Sequence, residues 1–196
     1  MTSLNPMRIE GPWKEGFALD YHTIGSTYIG DNEFGYPMFE NEYSDVGGLL
    51  FRLKSRTDTS VVDVLAGIIT DYVRTWNCKA DLIVPVPPSK TRIQQPVLML
   101  GDAVGKGLGI AFNSACIVKT KSIPELKNVR EFETRLKLLE GAFRIERAET
   151  EGRKILLFDD LFRSGASMGA VAKALSIQGA ASDVFALAVT RTRVNR

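Results

Sequence analysis

The sequence predicts an α/β protein: a doubly wound parallel sheet with helices on both faces, plus a small β-containing appendage at the N-terminus. Three observations predict it. From Ser60 onward, helical apolar periodicity alternates with short apolar strands, the pattern of a parallel sheet with helical crossovers. The chain has 196 residues and is 44% hydrophobic, enough for one sizeable core. Its most informative stretch, Ile155-Leu156-Leu157-Phe158-Asp159-Asp160, is an apolar run ending in two carboxylates, and a short loop and a helical segment follow it.

The elements follow in order. Residues 17–22 and 26–30 read as short strands punctuated by Gly25, Gly30, Asn32 and Gly35, a hairpin-like arrangement. Residues 44–54 read as a helix with Leu49, Leu50 and Leu53 on its apolar face, weakened by Gly47-Gly48. Val61, Leu65, Ile68, Ile69, Tyr72 and Trp76 recur at helical spacing, and Ser60 with Asp63 resembles a capping box. Residues 81–86 read as a buried strand, 96–108 as a helix ended by Gly107 and Gly109, and 116–118 as another strand. The polar, basic stretch 119–131 reads as a mobile loop, 131–140 as a short helix and 142–146 as an edge strand. The strand 155–158, a helix over 166–178 capped by Gly179, and a strand over 184–189 form a βαβ unit. The expected division is an appendage or hood over 1–56 and the α/β domain over 57–196.

Composition narrows the function. A net charge of +2 is too small to argue for a nucleic-acid partner. No apolar run reaches membrane-spanning length, and the first residues lack the apolar core of a signal peptide. Cys78 and Cys116 match no metal spacing and fit a reducing cytoplasm. The single histidine, His22, reads as structural.

The chemistry concentrates after the 155–158 strand. In open α/β sheets, ligands bind beyond the carboxyl ends of strands. Arg163, Ser164, Gly165, Ala166 and Ser167 lead into a helix, and a helix N-terminus with a glycine before it offers converging N–H donors and a favourable dipole for an anion. Gly165 permits close approach and unusual dihedrals. Ser164 and Ser167 add hydroxyls, and Ser167 could cap the helix. Arg163 either adds a cation or points to water. Asp159 and Asp160 stand where carboxylates could accept bonds from sugar hydroxyls.

This order of apolar strand, two acids, loop and Ser-Gly-x-Ser resembles the 5-phosphoribosyl-1-pyrophosphate (PRPP) motif of type I phosphoribosyltransferases, with serines for the motif's threonines. Val84-Pro85-Val86-Pro87-Pro88-Ser89-Lys90-Thr91-Arg92, and Arg135 leading to Gly141-Ala142-Phe143, resemble the competence protein F (ComF)-like branch. The resemblance covers about residues 78–192. It implies a type I phosphoribosyltransferase-like fold and transfer of phosphoribose from PRPP to a nitrogen acceptor. Asp159 and Asp160 would hold the ribose and support Mg2+ indirectly, and residues 163–167 would bind the 5'-phosphate. The Ser89 amide with Lys90 and Arg92 would face the pyrophosphate, unless the two cations are a solvated turn. Lys119 and Lys121 would contact the leaving group from a closing loop.

Two departures stand out. The chain has no N-terminal cysteine-rich element, and Pro87 and Pro88 offer no N–H to a pyrophosphate. The alternative implied role is a non-catalytic PRPP or nucleotide sensor, or a ComF-type DNA-uptake accessory protein with a basic tail over 191–196. A homodimer formed through the aromatic N-terminal region is also expected.

Overall fold

The computed structural model describes residues 3–88, 94–121 and 132–193. In chain order the strands are β1 (Met7–Arg8), β2 (Glu15–Tyr21), β3 (Thr23–Asp31), β4 (Pro37–Tyr43), β5 (Leu82–Pro85), β6 (Ala111–Phe112), β7 (Ile117–Lys119), β8 (Phe143–Ile145), β9 (Lys154–Phe162) and β10 (Asp183–Arg191). The helices are α1 (Asp45–Ser55), α2 (Val62–Trp76), α3 (Pro96–Leu108), α4 (Phe132–Leu139), α5 (Arg147–Thr150) and α6 (Ala166–Ile177).

The central sheet has the order β1-β2-β10-β9-β5-β6. Neighbours from β2 to β6 are all parallel, and β1 is an antiparallel edge. Helices cover both faces, as the doubly wound expectation requires. One core joins Ile155 and Leu157 of β9 to Val171 and Leu175 of α6. The other joins Leu156 and Phe158 to Leu50 of α1, Leu65 and Ile69 of α2 and Leu100 of α3. Strand β9 is apolar on both faces because both are buried, and each of its four fully buried side chains contributes about 1.5–3 kcal/mol.

Helix α1 starts at the expected place, with Ser44 as N-cap accepting from the Gly47 N–H at 3.0 Å. Gly47 is there for space: a Cβ would lie 2.1 Å from the His22 carbonyl oxygen. That close approach seats α1 against the end of β2.

Several local expectations need correction. The hairpin in the N-terminal segment is β3 with β4, not the pair 17–22 and 26–30. Strand β2 instead joins the main sheet parallel to β10, so the segment expected as an appendage contributes two strands to the central sheet. The strand at 143–145 is no edge of that sheet, because it pairs with β7 in a separate ribbon. Helix α2 is not opened by a Ser60–Asp63 box: Asp58 accepts from the Ser60 N–H at 3.1 Å and caps a single 3-10 turn leading into the helix. Gly179 does not end α6 by a left-handed turn. Gln178 is the C-cap and Ala180 carries the positive φ of 49°. Gly179 is small because a Cβ would meet Leu175 O and Thr150 Oγ1, both at 2.7 Å. Cys78 and Cys116 are free thiols, Cys116 buried.

The two adjacent glycines of α1 should therefore respond oppositely to alanine. Gly47→Ala should destabilise the protein by about 1–3 kcal/mol, the usual cost of overpacking. Gly48→Ala, whose Cβ would meet only the Tyr43 Cβ at 3.8 Å, should stabilise it by up to about 1 kcal/mol. Urea denaturation of both variants reads the contrast.

Candidate functional site at the carboxyl end of β9

From β9 the chain passes through α6 to β10 on one side, and from β5 it passes through α3 to β6 on the other. Helices α6 and α3 lie on opposite faces. The neighbours β9 and β5 thus send their connections in opposite directions, a switch point of the kind beyond which open α/β sheets bind ligands.

Strand β9 runs four residues past the expected end at Phe158, so Asp159 and Asp160 lie within it. The reason is the length of β10, whose ladder continues through Ala188↔Asp159 to Arg191↔Phe162. The β5 ladder stops at Pro85↔Phe158, with one more bond from the Val86 N–H to Phe158 O at 2.8 Å. The acids are therefore paired on the β10 side, at the point where β5 has left.

Strand alternation sends the two carboxylates to opposite faces. Asp160 turns toward α1, where Lys54 Nζ lies 2.9 Å from its Oδ2. Both side chains of that pair are mostly buried, at 21% and 17% exposure. Asp159 pairs with Ala188 of the α6-side core, and its Oδ1 accepts from the Asp160 N–H at 2.8 Å. Burial pushes the Asp159 carboxyl up to about 8, with the Asp160 charge adding to it, against smaller opposing effects of backbone N–H bonds and Lys54.

The loop beyond is shaped by Gly165. It is the N-cap of α6 with φ 74°, and no side chain caps the helix. Ser167 lies inside the first turn and so does not cap it, contrary to expectation. The Gly165 position is also tight, since a Cβ would sit 2.8 Å from Phe162 Cζ. Arg163 and Ser164 are exposed, Gly165 and Ser167 half-buried, and Ala166 buried. The first turn of α6 carries no acid, so its N–H groups face no competing side-chain carboxylate there.

Sequence reasoning missed three contributors. Lys54 holds Asp160. His22 lies against Thr190, with Nδ1 3.3 Å from its Oγ1, and that hydroxyl donates to Asp160 O, also at 3.3 Å. Burial, with Lys54 and Arg163 nearby, holds the His22 imidazole below its usual range. Arg191 belongs to β10 and not to a tail. Its guanidinium lies 6.0 Å from the Phe162 ring, and its buried Nε has no hydrogen-bond partner among the described residues. No local signal marks Lys54 or His22, which lie over a hundred positions from Asp160 and Thr190. The expected strand stops at Val189, two residues short of Arg191, whereas the β9 ladder carries β10 on to Arg191↔Phe162.

The remaining candidates lie further out. Lys119 Nζ donates to Pro88 O, which ties the β7–β8 ribbon to the chain leaving β5. Burial lowers the Lys119 pKa. Lys121 Nζ donates to Glu140 O at 2.6 Å, beside α4. Ser89, Lys90 and Arg92 lie outside the described residues, as do most of the stretch expected as a closing loop and the last three residues of the expected tail. Among the described residues, no group of three or more His, Cys, Asp or Glu could hold a metal ion. Asp159 and Asp160 face opposite sides of β9 and Asp160 is paired with Lys54, so the two carboxylates do not converge on one ion. No helix among the described residues is long and apolar enough to cross a membrane.

No protein-family model matches the sequence, and a search of curated proteins finds no match. Comparison with solved structures finds distant likenesses. Adenine phosphoribosyltransferase from Thermoanaerobacter pseudethanolicus is 16% identical with a TM-score of 0.46, over 85% of this chain and 95% of that one. Adenine phosphoribosyltransferase from Saccharomyces cerevisiae, complexed with adenine and an imino-altritol bisphosphate, is 15% identical with a TM-score of 0.46, over 83% of each chain. An allosteric regulatory enzyme of purine biosynthesis is 16% identical with a TM-score of 0.45, and this chain spans 26% of its length. Likenesses of this size do not bear on activity. The α/β architecture with its mostly parallel sheet rests on the strand order and directions themselves.

The raised Asp159 carboxyl makes stability depend on pH. A group whose folded pKa exceeds its unfolded value stabilises the fold below the unfolded pKa, and that contribution is lost as pH rises through the folded one. Here the window runs from 3.8 to about 8. His22, shifted downward, gives a slope of opposite sign, so variant and parent must be compared. Asp159→Asn should be more stable than the parent at the upper end of the window and should remove that downward slope. Urea titrations across the range measure it, and an unchanged slope would contradict the assignment. Gly165→Ala should cost about 1–3 kcal/mol, from the φ 74° conformation and the Phe162 contact.

Proposed function

We propose that this protein binds PRPP at the β9–α6 connection and transfers its phosphoribose to a nitrogen acceptor, releasing pyrophosphate. The observation that carries the reading is the placement of the Asp-Asp and Ser-Gly-x-Ser motif. It sits at the switch point between β9 and β5, with Gly165 opening the α6 N-terminus.

The 5'-phosphate would lie against the loop 163–167, where the first N–H groups of α6, the Ser164 and Ser167 hydroxyls and the helix dipole favour an anion. Arg191, at the adjacent end of β10, supplies a cation from the sheet side. Asp159 would accept bonds from the ribose hydroxyls. Asp160, engaged by Lys54, would orient that edge and add negative charge beside the sugar. Bond cleavage at the anomeric carbon leaves positive character on the ring, as in other glycosyl transfers, and the Asp160 carboxylate would stabilise it. The nitrogen attacks as pyrophosphate departs, then gives up its proton. Mg2+, when bound, would neutralise the pyrophosphate oxygens. Ser89, Lys90, Arg92, Lys119 and Lys121 are proposed for the leaving-group side, with Lys119 already anchored at Pro88 O.

PRPP with Mg2+ should raise the melting temperature, because binding to the native state alone stabilises it by about 2.7 kcal/mol at a hundredfold excess over Kd. For a chain of this size that is on the order of 5–10 °C. Asp159→Asn and Gly165→Ala should lose most of the shift. No shift in the parent with millimolar PRPP would sink the reading, and pyrophosphate release with a nitrogen base tests transfer itself.

A further inference from the structure

We propose that Trp13 is a positioning residue for the candidate phosphate site: through the Phe162 ring it fixes the Gly165 turn and the Arg191 guanidinium together. The inference rests on the reading that a phosphate lies against residues 163–167. It adds to that site a residue from the N-terminal segment.

Phe162 is where the two anion-binding parts meet. It is the last residue of β9 and is 8% exposed. Its ring occupies the space a Cβ at Gly165 would need, with Cζ 2.8 Å from that position. Arg191 is its cross-strand partner in β10, and the guanidinium lies 6.0 Å from the ring, within reach of a cation–π attraction. The buried Arg191 Nε has no hydrogen-bond partner among the described residues, which leaves the ring as a seat for the cation.

Trp13 meets the same ring edge-on, with centroids 6.3 Å apart and planes at 78°, a preferred aromatic arrangement. The indole is itself fixed. Its Nε1–H donates to Ile9 O at 2.9 Å. Gly11 and Gly16 are bare beside it: a Cβ would fall 2.2 Å from the indole Cη2 at Gly11 and 2.5 Å from Nε1 at Gly16. Pro12 lies against α6, where a Cβ at Gly169 would be 3.5 Å from Pro12 Cδ. The connection from β1 to β2 thus holds an indole in a slot cleared by two glycines, against the residue that underlies the anion loop. Turning the chain out of a two-residue strand requires none of this.

The loop needs such support. Amides grip a phosphate only when held to about 0.5 Å and 10–20°, and a misplacement of about 1 Å can cost on the order of a hundredfold. Gly165 sits at φ 74° and no side chain caps α6, so a packed ring takes the place of a cap. Without the indole, Phe162 loses the neighbour that selects its rotamer, and the turn and the guanidinium lose their common support.

Calorimetry with PRPP and Mg2+ tests the contact. Trp13→Leu should bind on the order of tenfold more weakly than the parent. Trp13→Phe, which keeps an aromatic edge, should bind like the parent. In a double-mutant cycle with Arg191→Met the two losses should be non-additive, because both act through Phe162. In the ligand-free protein, 15N relaxation of Trp13→Leu should show order parameters of 163–167 falling below about 0.6 while those of 155–160 stay near about 0.85. Parent-like binding by a folded Trp13→Leu overturns the proposal, as do additive losses or unchanged order parameters. If the parent binds no PRPP, the functional reading fails and the relaxation result alone decides the role of Trp13. If Trp13→Leu does not fold, the emission of Trp13 decides, read in Trp76→Phe, which leaves one indole of the two. Inorganic phosphate should change that emission saturably, and a silent signal counts against the proposal.

Discussion

The parallel pairing of β9 between β10 and β5 is the constraint on which the rest depends. Its four central side chains, Ile155 to Phe158, are fully buried, two toward α6 and two toward α1–α3. A strand covered on both faces cannot slip in register without exposing apolar surface to water or burying polar groups. That fixes where the cover ends, and the two acids begin at that point. Their chemistry follows from this placement: Asp159 is held in a poorly solvated position that favours the neutral carboxyl, while Asp160 turns to the opposite face and meets Lys54.

The N-terminal segment belongs to the same construction. Strand β2 hydrogen-bonds to β10, and α1 approaches closely enough that Gly47 has no room for a Cβ. The approach places Lys54 beside Asp160 and His22 beside Thr190. The Lys54–Asp160 pair is mostly shielded from water, where breaking one partner costs more than the pair itself contributes. It links the first fifty-odd residues to the candidate site. The ribbon that leaves this base is different in kind: it is apolar and acidic, and is held at its base by Tyr43 on Phe51 and by Arg193 donating to Ile24 O.

Much was legible in the sequence. The apolar run before Asp159, the helical spacing of Leu65, Ile69 and Tyr72, and the alternation of helices and strands specified an α/β sheet, because burial imposes those periods locally. Gly165 before a helical stretch marked the turn, since φ 74° is cheap only for glycine. The Asp-Asp and Ser-Gly-x-Ser pattern located the candidate site.

What the sequence by itself determined were most of the helices and the buried strands, the fold class and the residue types at one strand end. Only the tertiary structure decided that β9 extends through its acids, that β2 pairs with β10, that Asp160 faces Lys54, and that Arg191 ends a strand. The reason is physical. Periodicity and turn chemistry act over a few residues and leave a local trace. Parallel strand pairing and ion pairs between residues over a hundred positions apart depend on how the assembled layers meet, and nothing near either partner encodes the other.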